Sequence, residues 1–124
     1  KLNLTELKQE LNFQLEQSIK EIYNVIGVKP KYLRMPYGYY RSWMDEYLEK
    51  HNLTTINWCF GCDWQNIEYE QMADKYCKNL QPGGIYLFHD GGQNRKKTAE
   101  ALKIFIEYAI KNNYKFGNLK DFVK

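Results

Sequence analysis

The chain has 124 residues, 44% of them hydrophobic, so it is long and apolar enough to bury the core of one domain. Its formal net charge is +3, from 18 basic and 15 acidic residues, which is too small to predict a nucleic-acid partner. No apolar run approaches the roughly 18 residues that a membrane span needs. The three cysteines are an odd number and do not predict a disulfide framework.

Apolar residues spaced three and four apart predict a long amphipathic helix over residues 4–26. Asn3 and Glu6 stand three residues apart at its start, which is the spacing of a capping box. Gly27 follows the last apolar residue and predicts the end of the helix, because glycine readily adopts the left-handed conformation found there.

Short runs of β-branched, aromatic or apolar residues predict four strands, at residues 31–35, 53–60, 85–88 and 114–119. Helices are predicted between them: Ser42 caps the second helix, Asn66 caps the third, and the last covers residues 96–111. Helices that alternate with buried strands predict an α/β fold with mainly parallel strands. Four strands are too few for a closed barrel.

Polar residues follow three of the predicted strands. They are Arg34 in RMPYG, Asp63 in the Asp-Trp pair, and His89 in HDGG. The carboxyl ends of parallel strands meet at one edge of a sheet, where active sites collect. An arginine, a carboxylate and a histidine brought together there suit proton transfer on a polar substrate. Each also has a structural interpretation: an ion pair for Arg34, a helix cap for Asp63, and a hydrogen-bonded strand end for His89.

The stretch WCFGCDW has the form of a redox dithiol, with Cys59 and Cys62 in a Cys-x-x-Cys spacing. A redox dithiol places its first cysteine at a helix N-terminus, whereas Cys59 belongs to a predicted strand. A zinc half-site is also open, although no second cysteine or histidine pair completes four ligands. Buried structural cysteines remain the preferred interpretation.

The three loops together resemble a known family. RMPYG, the Asp-Trp of GCDW, and IYLFHDGG occur in the order of the third, fourth and fifth motifs of NodB-like polysaccharide deacetylases. The segments EIYNVIGVKPKYLRMPYG and IEYAIKNNYKFGNL extend the similarity over nearly the whole chain. The resemblance implies a distorted (β/α) barrel and the metal-dependent removal of acetyl groups from chitin, peptidoglycan or acetylxylan.

The motifs that bind the metal in this family, a pair of aspartates and a His-x-x-x-His, do not occur in the sequence. The resemblance therefore implies that residues 1–124 are the C-terminal portion of a single domain, whose N-terminal half is absent. The absent half would bind a divalent metal, expected to be zinc, and this chain would supply no metal ligand. The chain alone is expected to be inactive.

The resemblance also implies three catalytic residues. His89 would be the general acid that protonates the leaving group, and Asp63 would be its acidic partner. Arg34 would hold the catalytic aspartate of the absent first motif. The fourth motif departs from the family at Phe60, where a second aspartate is usual.

Four residues would bind the substrate by the same resemblance. The backbone N–H of Tyr37, beside Pro36, would help to stabilise the oxyanion. Trp64 would form a wall of the groove, and Leu87 would line the pocket for the acetyl methyl group.

The expected partner is an acetylated polysaccharide or oligosaccharide, with no nucleic acid and no membrane span, and a cell-wall substrate implies an extracellular or cell-wall location. Two alternatives stay open. A non-catalytic carbohydrate-binding derivative would use Tyr37, Trp43 and Trp64 as sugar-stacking surfaces. A thioredoxin-like reductase would form a disulfide between Cys59 and Cys62.

Overall fold

The computed structural model of the protein describes residues 2–92 and 94–121. The chain divides into two compact units, Lys1–Asn57 and Trp58–Lys124. Helices dominate both units, and the strands are short and parallel. In the described part of the chain, no helix has the length and apolar character that crossing a membrane requires.

The first unit begins with helix α1, Leu4–Ile26. The predicted capping box is confirmed: the Asn3 side chain accepts the Glu6 N–H at 3.0 Å, and the Glu6 carboxylate accepts the Asn3 N–H at 2.8 Å. At the other end Gly27 adopts the left-handed conformation, with φ 70°, and its N–H donates to the Tyr23 carbonyl oxygen at 2.8 Å. The helix bounds match those predicted from the sequence.

Two short strands of the first unit pair in parallel: β1, Tyr32–Leu33, and β2, Thr54–Thr55. They cover only part of the predicted strands at 31–35 and 53–60. Helix α2, Asp45–Lys50, lies between them in the chain. The prediction that Ser42 caps this helix is wrong, because Ser42 is itself the first residue of a 3-10 turn that runs into α2. The core of this unit is formed by Leu15, Met44, Leu48 and Leu53.

The second unit is built on helices α3, Tyr69–Lys78, and α4, Lys96–Lys111, which pack against each other. The prediction that Asn66 caps α3 is wrong, because the helix begins only after Glu68. Tight turns precede it: the Gln65 N–H donates to the Cys62 carbonyl oxygen at 3.0 Å, and residue 67 donates back to residue 65. These turns delay the start of the helix.

The predicted strand at 85–88 is present as one parallel bridge between Phe60 and Tyr86. The strand predicted at 114–119 is wrong: among the described residues, this segment ends in a 3-10 turn, Leu119–Asp121, and pairs with no strand. Asn113 adopts a left-handed conformation, and the Tyr114 N–H donates to the Ala109 carbonyl oxygen at 3.0 Å. The chain therefore folds back on the end of α4 rather than extending into a sheet.

Aromatic rings form the core of the second unit, with the fully buried Tyr76 at the centre. The Phe88 ring stacks on it at a centroid distance of 4.1 Å, and the Phe60 ring meets it edge-on at 5.2 Å. Phe105 packs at 5.6 Å from the same ring. This core lies directly beneath the loops that carry Asp63 and His89.

Candidate active site

Asp63 is the centre of the candidate site, and none of its side-chain surface is exposed. One carboxylate oxygen, Oδ2, accepts the backbone N–H of His89 at 2.6 Å. The other, Oδ1, lies 2.8 Å from the Nδ1 atom of the His89 ring. A buried carboxylate is costly unless it is hydrogen-bonded and paired. Asp63 meets that need by holding both the main chain and the imidazole of His89.

The side chain of His89 is 41% exposed, although one ring nitrogen faces buried Asp63. An ionised carboxylate can only accept hydrogen bonds, so the geometry assigns a proton to Nδ1. The other nitrogen, Nε2, is therefore the one left for a substrate. The Trp64 ring stands edge-on to the imidazole at a centroid distance of 6.2 Å and forms a wall beside it.

Arg95 is a third member of the site, and the sequence did not reveal it. Its Nη1 atom lies 3.9 Å from Oδ2 of Asp63 and donates to the main-chain oxygen of Asp63 at 3.2 Å. Its Nε donates to the Gly91 carbonyl oxygen at 2.9 Å. The guanidinium thus offsets the buried charge and ties the HDGG loop to Asp63. The only sequence signal was a basic residue at the start of α4, which Lys96 and Lys97 share.

A cleft of about 460 Å³ opens beside Asp63 and Trp64. Amide and basic side chains line much of it, and they are Gln65, Asn66, Asn94, Arg95, Lys96 and Lys97. Trp64 is itself half exposed. An exposed aromatic ring with convergent amide donors and acceptors is a combination that suits a sugar ring.

Leu87 lies close to this wall and is half-buried. The chain approaches it at Gly61, where an added Cβ would lie 3.0 Å from the Cβ of Leu87 and 3.2 Å from the Trp64 ring. A side chain at this position would therefore require Leu87 or the Trp64 ring to move by a few tenths of an ångström. The fourth-motif loop is thereby packed against the strand segment that leads to His89.

The remaining predicted residues lie in the first unit and are exposed. The Nε atom of Arg34 donates to the Ile56 carbonyl oxygen at 3.3 Å, which anchors the guanidinium beside strand β2. Pro36 opens a 3-10 turn, Pro36–Gly38.

Tyr37, at the centre of this turn, is fully exposed and has φ 58° and ψ 15°. A left-handed conformation costs a residue other than glycine about 1–2 kcal/mol. Hydrogen bonds on either side hold it: Gly38 N–H to Met35 O at 2.9 Å, and Tyr39 N–H to Pro36 O at 3.1 Å. Backbone strain of this kind is concentrated at functional sites.

The structure therefore brings together Asp63, Trp64 and His89, with Leu87 beside them, within the second unit. Arg34, Pro36 and Tyr37 follow one another along a single loop of the first unit.

The cysteines lack the geometry of a redox dithiol. Cys59 and Cys62 are free thiols. Cys62 is buried, whereas Cys59 is exposed, so the prediction of buried cysteines is wrong for Cys59. Burial raises the pKa of the Cys62 thiol, the opposite of what an attacking thiolate requires. The helix that follows them begins only at Tyr69, so no helix terminus lies next to Cys59 in the chain. The Cys59 thiol instead donates to the Ile85 carbonyl oxygen at 3.1 Å.

The NodB-like polysaccharide deacetylases that the sequence resembles are generally metal-dependent. Across residues 2–92 and 94–121, no three His, Cys, Asp or Glu side chains lie close enough to hold a metal ion.

Comparison with known proteins identifies a family and a fold that the chain resembles. The model of the polysaccharide deacetylase family matches residues 3–56. A peptidoglycan-N-acetylglucosamine deacetylase of Bacillus cereus is 27% identical over 99 residues, which cover 77% of this chain and 46% of the relative. The chain thus spans less than half the length of this relative.

Two solved structures share the fold. A CE4 family pseudoenzyme from Bacillus anthracis has a TM-score of 0.83 at 24% identity, with 94% of this chain and 41% of that chain covered; a mutant of it is described as having restored enzymatic activity. A family 4 carbohydrate esterase from Streptomyces lividans, solved with acetate, has a TM-score of 0.79 at 20% identity, with 90% and 56% covered. At these identities, the structures establish the fold.

The family match, the relative and the shared fold together support a NodB-like polysaccharide deacetylase domain. The resemblance predicted from the three motifs is confirmed at this level. The predicted fold class is also confirmed, as an α/β chain with parallel strands in a partial, open arrangement of the NodB type.

Proposed function

We propose that this chain carries the general acid of a hydrolase that removes acetyl groups from an acetylated polysaccharide. The observation that carries the proposal is the pairing of buried Asp63 with both the backbone N–H and Nδ1 of His89. Such a pair fixes the ring and leaves Nε2 to face a substrate, as a general acid requires. The peptidoglycan deacetylase of Bacillus cereus supports the choice of substrate class.

His89 would act on the leaving group. Water would give a proton to the catalytic aspartate that the resemblance places outside this sequence and add its oxygen to the acetyl carbonyl carbon, and the bond from that carbon to the sugar nitrogen or oxygen would break. The proton at Nε2 of His89 passes to this leaving atom, while Asp63 stabilises the imidazolium form and keeps the ring oriented. In this proposal Leu87 contacts the acetyl methyl group, and Trp64 packs against the sugar.

Three residues of the first unit would have the roles that the resemblance implies. The N–H of Tyr37 would donate to the developing oxyanion, with Pro36 shaping the turn. Arg34 would hold a catalytic aspartate that lies outside this sequence. The strained backbone of Tyr37 supports the first of these roles, since a fixed donor costs no reorganisation during the reaction.

Metal chemistry would come from a segment outside residues 1–124, with zinc the expected ion. We therefore expect the isolated chain to release no acetate. A substrate in the cell wall would place the protein outside the cell or in the wall.

The test is acetate release by the protein expressed from the complete gene that encodes residues 1–124, with N-acetylated chitooligosaccharides and acetylated xylan as substrates. We expect His89→Ala to lower the rate by about 10²–10⁴-fold, the usual contribution of a general acid. His51→Gln is the matched control, because His51 lies in the first unit and contacts Asn12. Equal rates for wild type and His89→Ala would rule out the acid role.

A second candidate function is carbohydrate binding without turnover. The exposed rings of Tyr37 and Trp64 favour it, as does the pseudoenzyme among the similar structures. The Trp43 ring is half-buried and packs edge-on against Tyr47 at 6.4 Å, and its part in sugar stacking stays a prediction. Binding of chitooligosaccharides that is lost in Trp64→Ala, with no acetate released by the complete protein, would favour this function.

A further inference from the structure

Tyr76 occupies an unusual position for a polar side chain: it lies on α3 with no exposed surface. Its hydroxyl group bridges two separate backbone segments. It accepts the Cys62 N–H at 3.0 Å and donates to the Leu87 carbonyl oxygen at 2.6 Å. A hydroxyl is among the few side-chain groups that can make both bonds with one atom.

The two bridged segments are those that carry the acid pair. Cys62 directly precedes Asp63, and Leu87 is two residues before His89. Phe88, between Leu87 and His89, stacks on the Tyr76 ring with an interplanar angle of 16°. The Tyr76 side chain therefore fixes the distance between the two backbone segments that carry Asp63 and His89.

The fourth-motif departure at Phe60 belongs to the same arrangement. The Phe60 ring meets the Tyr76 ring edge-on at an interplanar angle of 88°. Phe60 thus takes part in the packing around Tyr76, and Asp63 alone among the fourth-motif residues contacts the His89 ring through a carboxylate.

We propose that Tyr76 is a positioning residue for the Asp63–His89 pair, acting through its hydroxyl bridge between Cys62 and Leu87. The inference rests on the proposed function, because a fixed pair matters only if His89 transfers a proton. Removal of the hydroxyl leaves a buried N–H and a half-buried carbonyl without their partner, and we expect one or both segments to shift in response.

The chain offers a closely matched control. The Tyr86 hydroxyl also accepts a backbone N–H, from Gln81 at 2.8 Å, and donates to a backbone carbonyl, of Asn79 at 2.9 Å. Its ring contacts Phe105 in the same core. Both of these bonds lie in the turn before the strand, so neither involves Cys62 or Leu87. Tyr86→Phe therefore removes the same chemistry without removing the bridge.

The test compares Tyr76→Phe and Tyr86→Phe by NMR, using amide hydrogen exchange and the imidazole nitrogen signals. The chain has only two histidines, so the His89 ring can be assigned directly. In Tyr76→Phe we expect Cys62 and His89 amides to exchange roughly tenfold faster, the factor that one net hydrogen bond gives. We also expect the His89 ring to lose the proton held on Nδ1. In Tyr86→Phe both signals should match the wild type.

A purely structural role for Tyr76 would lower the unfolding temperature of Tyr76→Phe and leave its His89 ring signals unchanged, which would overturn the proposal. If Tyr76→Phe does not fold, amide exchange of the wild type provides the test. The Cys62 amide should exchange as slowly as the core amides of α3, and fast exchange would refute the bridge. Acetate release separates the two claims. A complete protein that shows these NMR changes but releases no acetate retains the positioning role and loses the proposed function.

Discussion

The two units support their candidate residues in different ways. In the second unit, Asp63 and His89 are held by each other, by Arg95 and by the aromatic core below. In the first unit, Arg34 and Tyr37 are exposed on one loop. The second unit therefore fixes its site through its own contacts, whereas the proposed roles of the first unit depend on groups outside this sequence.

The hydrophobic cores of the two units also differ, in how completely they are packed. Rings of Phe60, Tyr76, Phe88 and Phe105 contact one another around buried Cys62 in the second unit. In the first unit, α1 buries only Leu15 fully and leaves much of its apolar surface exposed. Precise positioning of a buried carboxylate requires a well-packed scaffold, and among the residues that the structure describes only the second unit contains both.

The largest effect that would test this comparison is on stability. We expect Phe105→Ala to lower the free energy of unfolding by about 3–5 kcal/mol, because the ring contacts three other aromatic side chains and its loss leaves a cavity. For Leu15→Ala we expect about 2–3 kcal/mol, the low end for a buried leucine, since its helix is already partly exposed. Chemical denaturation of each variant measures both values.

Phe116→Ala is the control for loss of an exposed ring, and we expect a change within about 0.5 kcal/mol. A loss for Leu15→Ala equal to or above that for Phe105→Ala would show that the first unit is the better packed, and the comparison would fail.

A smaller effect on stability would test whether the backbone of Tyr37 in the first unit is strained. Tyr37→Gly removes the left-handed strain of about 1–2 kcal/mol and adds a glycine entropy cost of about 0.5–1 kcal/mol. We therefore expect stability to stay the same or to rise by up to about 1.5 kcal/mol. Tyr39→Gly, two residues later with an ordinary φ of −64°, should instead lower it. Thermal unfolding of the two variants decides, and equal losses would mean that Tyr37 is unstrained.

Helix positions could be predicted from the sequence because they depend on local patterns. The bounds of α1 and α4 follow from apolar spacing, capping residues and the glycine at 27. Strands could not be bounded in this way, since their ends depend on pairing between distant residues. The segment 114–119 has strand-like composition, yet the left-handed Asn113 turns it back on α4.

The part of the site that could be predicted is the set of polar residues in loops that follow predicted strands. The order of Asp63 and His89 in two such loops indicated that they would meet. Arg95 and Tyr76 were missed, because a basic residue at a helix start and a tyrosine on an apolar helix face are common. Their importance depends on which atoms they reach, and that is set by packing.

The most direct measurement of the central claim is the tautomer of each histidine, read from long-range proton–nitrogen correlations of the imidazole rings at neutral pH. In the structure, Nδ1 of His89 lies 2.8 Å from Oδ1 of Asp63, and Nε2 of His51 lies 3.1 Å from Oδ1 of Asn12. Both oxygens are acceptors, so each of these ring nitrogens is the donor. We expect a neutral His89 to carry its proton on Nδ1 and His51 on Nε2, with Asp63→Asn changing only the first. A His89 ring protonated on Nε2 alone in the wild type, unaffected by Asp63→Asn, would contradict the account.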